Sequence, residues 1–211
     1  GLAMLGLVAL RQQGTGWFVF WVMLAATFHK TAVLLLPLAA LAAAQNRYVA
    51  LAWGAGSLAL GYWLFLEDSV EHLYKNYVEA EYQSSGAMIR LAMNLVPSVI
   101  LLVWGKKFTF SDAERRLWLL FAIISLALLG VFLASPASTA VDRIALYMLP
   151  LQLVVFAHLP DVLSEESETD VSVPLLGVLG FYGLVQFVWL NFADHAFAWL
   201  PYRFYPLEAM F

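Results

Sequence analysis

Between Trp17 and Ala44 the chain is apolar except for two adjacent ionisable residues in the middle, His29 and Lys30. An imidazole exchanges a proton near neutral pH, and an ammonium carries a compact charge. Both are costly inside an apolar layer and are normally kept there to face a cavity or a partner. Arg90 lies about one turn inside the apolar run Ala87 to Trp104, which also holds Asn94 and Pro97. Arg143 opens the run Arg143 to Leu159, with Tyr147 and Pro150 inside it, and Arg203 lies in the C-terminal tail. An arginine in the hydrocarbon region costs roughly 2.5 to 3.5 kcal/mol on insertion scales, so something anionic should compensate it. The guanidinium offers planar, two-pronged donors that match phosphate oxygens, so convergent arginines suit a lipid-linked diphosphate. A proton acceptor could be His29 or one of Glu67, Asp68, Glu71, Glu79 and Glu81.

Each of these residues also has a plainer role. Arg90 and Arg143 near helix ends could extend to the headgroups, and Arg203 could be a solvated tail residue. His29 could be a core histidine bonded to a carbonyl. Asp142 beside Arg143 could form an exposed ion pair worth under about 1 kcal/mol. Tyr74, Tyr77, Tyr82, Tyr202 and Tyr205 suit an interfacial aromatic belt, although aromatic rings also stack on sugars.

The elements that must position these groups follow from composition. Of 211 residues 63% are hydrophobic and 12% charged, against about a quarter charged in soluble domains. Mean hydropathy is +0.79. With about 20 apolar residues needed per spanning helix, the chain has room for several spans and no separate soluble domain. The expectation is an all-α polytopic transmembrane helical bundle forming one membrane domain. Its spans fall at about 17–44 (re-entrant or broken near His29), 49–66, 87–104, 117–134, 143–159 and 173–192. Gly54, Gly56 and Gly61 would let a neighbouring helix approach the second of these. Leu2 to Leu10 looks like the closing half of a helix, so the chain reads as the N-terminally truncated, C-terminal part of a longer protein. A net charge of −4 and the lack of a basic groove exclude nucleic acid as a partner. The absence of cysteine excludes disulfides and thiol chemistry, and no metal or cofactor motif is visible.

Lys and Arg in short loops stay on the cytoplasmic side, which assigns Lys106, Lys107, Arg115 and Arg116 to it. Alternation then sends 67–86, 135–142 and the tail outward and keeps 45–48 and the acidic stretch 161–170 inside. Arg90, Arg143 and Arg203 thereby gather at the outer face. His29 and Lys30 join them there or at the midplane, if the broken segment enters from the cytoplasm and returns.

Three motifs in this order resemble the EpsG family: Phe28-His29-Lys30-Thr31-Ala32 before aliphatics, Ser85-Gly86-Ala87-Met88-Ile89-Arg90 opening a span, and Asp142-Arg143 with Tyr147 and Pro150 opening another. The resemblance runs from about Arg11 to the tail. It implies a Wzy-like, multi-pass protein of the bacterial inner membrane that polymerises the repeat units of exopolysaccharide, capsule or O-antigen. It also implies that His29, Arg90 and Arg143 are functional. Lys30, Tyr147 and Arg203 are expected to contact the polyprenyl-diphosphate-linked oligosaccharide. Polysaccharide export or chain-length proteins are candidate partners beside the lipid bilayer. A transporter or flippase of lipid-linked sugars needs the same cationic cavity without a base, and a structural subunit would use the charges only to pair helices.

Overall fold

The computed structural model describes residues 1–12, 14–38, 47–67, 86–134, 138–167, 170–193 and 196–198. It is all-α, with no strand among the described residues. The chain divides into two compact units, 1–155 and 156–211. Three helices are long and apolar enough to cross a membrane: Ala87–Trp104, Asp112–Ala134 and Ser172–Phe192. The bent pair Thr139–Met148 and Pro150–Glu165 counts as a fourth if it forms one span. The protein is a multi-pass membrane protein on this architecture.

The first unit opens with an antiparallel pair, α1 (Leu2–Arg11) and α2 (Thr15–Phe28). They pack closely at Gly6 of α1, where a Cβ would just reach van der Waals contact with Phe18 and Val22 of α2 at 3.4 Å. At 14 residues, α2 is about 21 Å long, too short to cross a bilayer core of about 30 Å alone. It stops where Thr27 turns its hydroxyl back to the Leu24 carbonyl at 2.7 Å and His29 goes extended, with φ −143° and ψ 102°. A 3-10 turn, Lys30–Leu34, follows. Next comes α3 (Arg47–Gly61), prolonged by a π-helical turn, Tyr62–Leu66. Gly61 lets Val33 of the 3-10 turn press against the α3 backbone, since a Cβ at 61 would collide with Val33 Cγ2. By contrast, a Cβ at Gly56 would meet nothing within 4 Å.

The expected span at 87–104 is α4 (Ala87–Trp104), introduced by Gly86 at φ +77°, a left-handed conformation that favours glycine. A tight turn leads to α5 (Asp112–Ala134), which starts on a reciprocal capping box. Ser111 Oγ accepts the Glu114 N–H at 3.3 Å, and Glu114 Oε2 accepts the Ser111 N–H at 3.0 Å. Glu114 also binds Arg11 at 2.9 Å, tying the end of α1 to the start of α5.

The run from Arg143 to Leu159 is not one straight span. It is divided into α6 (Ser138–Ala145), a 3-10 turn Leu146–Met148, and α7 (Pro150–Ser167). Proline has no N–H to continue a preceding helix but fits the first turn of a new one, so Pro150 opens α7. Ala87, Leu91, Val141 and Ala145 form one core cluster with Leu128, Leu129 and Phe132, joining α4, α5 and α6. Ala25, Ala26 and Ala32 form another with Leu2, Ala3 and Tyr147.

In the second unit, α8 (Ser172–Phe192) buries none of its residues, although nearly all are apolar. Such a helix suits a lipid solvent. Phe156 of α7 meets Phe181 and Tyr182 of α8 at 5.6 and 5.8 Å between ring centroids. Asp170 caps α8: its Oδ1 accepts the Ser172 N–H at 2.8 Å, which holds the carboxyl below its usual range.

Candidate functional site

The two ends of the first unit differ in character. One carries Arg11, Glu114, Lys106 and Lys107 around the turn into α5, and beside it lies a cavity of about 580 Å³ lined by Arg11, Thr15, Asp112 and Glu114 among apolar residues. At the other end α2 breaks, α4 begins and α6 passes into its 3-10 turn, and there His29, Arg90, Arg143 and Tyr147 are found.

Here the first cluster is built on the two breaks. His29, freed from helical geometry, places Nδ1 2.9 Å from Thr31 Oγ1. Thr31 Oγ1 is also 2.8 Å from the hydroxyl of Tyr147, 116 residues away on the second 3-10 turn. The rings of His29 and Tyr147 meet edge to face at 6.4 Å. Together with Arg143, they line a cavity of about 500 Å³ whose other walls include Phe28, Ala25, Ala32 and Leu146. Irregular backbone at membrane depth is tolerated where it lines such a cavity. The Arg143 side chain is exposed, and among the described residues it has no ion-pair partner.

The second cluster runs along one face of α4. Arg90 grips Asp142 through two parallel bonds, Nε to Oδ1 at 2.8 Å and Nη2 to Oδ2 at 2.6 Å. This corrects the sequence-based pairing of Asp142 with its neighbour Arg143: Asp142 is buried and its partner is Arg90. Successive residues on a helix point about 100° apart, so α6 turns Asp142 into the bundle and Arg143 out of it. One turn along α4, Asn94 donates to the Ala145 carbonyl at 3.2 Å and accepts from Gln152 Nε2 at 2.6 Å. The ladder has shortened there, with the Leu149 N–H reaching Leu146 at 3.3 Å, so the side chain of Asn94 supplies a donor where regular helix ends. Ser98 closes the stripe by donating to the Asn94 carbonyl at 2.7 Å.

The structure therefore brings His29, Tyr147 and Arg143 to one cavity. Arg90 stands beside it, committed to Asp142 and not among the lining residues. Lys30 opens the 3-10 turn after His29. Arg203 and the carboxylates Asp68, Glu71, Glu79 and Glu81 lie outside the described residues. Sequence reasoning missed Thr31 as a bridge, and Asn94 and Gln152 as a buried pair. The spacing of Arg90, Asn94 and Ser98 at every fourth position was the available signal. No group of three or more histidine or acidic residues able to hold a metal occurs among the described residues.

A family model described as the EpsG family matches residues 1–204. No curated protein and no solved structure matches the chain.

Proposed function

The chain belongs to the EpsG family, and on that premise we propose that it is an oligosaccharide repeat-unit polymerase of the bacterial inner membrane. Polysaccharide biosynthesis is the general setting of the family. In the proposed reaction a sugar hydroxyl of one lipid-linked unit attacks the anomeric carbon of another. The new glycosidic C–O bond forms as the bond to the diphosphate breaks, the hydroxyl proton passes to a base, and polyprenyl diphosphate leaves.

The observation that carries this reading is a guanidinium, Arg143, with no ion-pair partner among the described residues, on a cavity shared with His29 and Tyr147. A leaving diphosphate gains negative charge, and a bidentate guanidinium donor stabilises that charge. The base would be His29 or one of Glu67, Asp68, Glu71, Glu79 and Glu81. Arg90 acts at one remove, by fixing Asp142 and hence the turn that presents Arg143. The break at His29 beside an open cavity also suits a transporter of lipid-linked sugars, in which discontinuous helices surround the substrate.

Substitution at Arg143 tests the role of the cavity. Arg143→Gln should lower polymer formation by about 100-fold, the usual effect of losing one oxyanion donor. Arg143→Lys should fall between the two, because an ammonium cannot reproduce the fork. Membrane abundance should stay unchanged in both, since this side chain holds no helix in place. Normal polymer length with Lys or Gln at 143 would remove the diphosphate role.

A further inference from the structure

We infer that Tyr147 and Thr31 are positioning residues that hold neutral His29 with its proton on Nε2, so that the ring offers the cavity a donor and not a lone pair. The inference rests on the polymerase reading only for the identity of the ligand, a phosphate-bearing lipid carrier.

Thr31 Oγ1 stands between two groups, 2.8 Å from the Tyr147 hydroxyl and 2.9 Å from His29 Nδ1. Three arrangements of protons fit these two links, because the Thr31 oxygen donates once and can accept twice. In one, the Nδ1–H donates to Thr31 and Thr31 donates to Tyr147; the phenolic proton then has no acceptor, because among the described residues the Tyr147 hydroxyl has Thr31 as its one hydrogen-bond partner. In another, Nδ1–H and Tyr147 both donate to Thr31, whose own proton then has no acceptor among the described residues. In the third, Tyr147 donates to Thr31 and Thr31 donates to Nδ1, and both hydroxyl protons are used. A half-buried donor left without an acceptor is costly, and a phenol is the better donor of the two hydroxyls. The third arrangement wins. It puts the lone pair of the imidazole on Nδ1 and the N–H on Nε2.

The chemical role of His29 changes accordingly. Facing a cavity also lined by Arg143 and Tyr147, an Nε2–H adds a donor for phosphate oxygens beside the guanidinium. A ring whose available nitrogen already carries a proton cannot accept one from the attacking hydroxyl. General-base duty then belongs to a group other than His29. The bridge joins the two breaks: His29 is extended at the first, Tyr147 stands on the 3-10 turn of the second, and side chains 116 residues apart share one hydroxyl.

Nitrogen NMR of the full-length, histidine-labelled protein in lipid nanodiscs reads the tautomer directly, with the His29 signals identified by their loss in His29→Asn. The expected wild-type spectrum has a protonated Nε2 and an unprotonated Nδ1 wherever the ring is neutral. Thr31→Ser should keep that pattern, while Thr31→Val and Tyr147→Phe should shift it toward a mixture of both tautomers. A wild-type proton on Nδ1, or an unchanged tautomer in both Thr31→Val and Tyr147→Phe, would overturn the inference. Inorganic pyrophosphate should shift the Nε2 signal in the wild type and leave it in place in Arg143→Gln; no shift in the wild type would overturn the anion-receiving role. A protonated Nε2 in a protein that does not lengthen lipid-linked units would uphold the inference and sink the polymerase reading, so the two can fail separately.

Discussion

Asp142 and Arg90 share one ion pair but not one environment: 6% of the aspartate side chain is exposed, against 37% of the arginine's. Removing either charge therefore has unequal effects. Arg90→Met takes the bidentate cation from a buried carboxylate, a loss of about 3 to 5 kcal/mol. Asp142→Asn takes the anion from a guanidinium that can turn toward the headgroups, and should cost less. The double variant should recover much of the Arg90→Met loss, a coupling that reversible unfolding in mixed micelles would measure as a double-mutant cycle. Equal losses from the two single changes would contradict the unequal burial. Arg90→Lys should also lower abundance, because the fork to Asp142 needs both donors, whereas Arg143→Lys should not. In the sequence the two arginines look alike, each at the end of an apolar run. Their difference arises from a contact 52 residues away, which no local spacing encodes, and adjacency to Arg143 suggested the wrong partner for Asp142.

At the scale of elements, two glycines and two breaks shape the site. Gly86 starts α4 at φ +77°, so Gly86→Ala should destabilise by about 1 to 2 kcal/mol. The new Cβ would meet Arg90 Nη1 at 3.5 Å, an ordinary van der Waals contact, so the cost lies in the backbone. Gly61→Ala should push α3 away from the turn that follows His29, and Val33→Ala in the same chain should relieve it. Melting temperatures of the single and double variants check this; a Gly61→Ala variant as stable as the wild type would mean that the close approach is not needed. The helices themselves were legible in the sequence, because apolar runs bounded by glycine, proline and charge have few other ways to satisfy their backbone in lipid. The break at His29 was legible too, from a polar pair in a run of awkward length. The break before α7 was less so: Pro150 was visible, but hydropathy continues across it, and hydropathy records solvent preference without recording a bend.

For the molecule as a whole, the ends of the first unit give the topology a physical sense. The Lys and Arg of 105–116 stand opposite the end that carries His29 and Arg143, so a topology that keeps the basic turn in the cytoplasm would turn the cavity outward. With no native cysteine, single cysteines report this cleanly. An impermeant thiol reagent added from outside should label Ser138→Cys and spare Thr109→Cys, and labelling at 109 alone would invert the orientation. The proposed polymerisation would require only lipid-linked substrates on that side, and the direct measurement is one of turnover. Purified full-length protein, reconstituted with polyprenyl-diphosphate-linked repeat units as the sole sugar source, should yield a ladder of longer glycans with matching release of polyprenyl diphosphate. Units that cross the bilayer without growing in length would contradict the polymerase reading and leave a transporter.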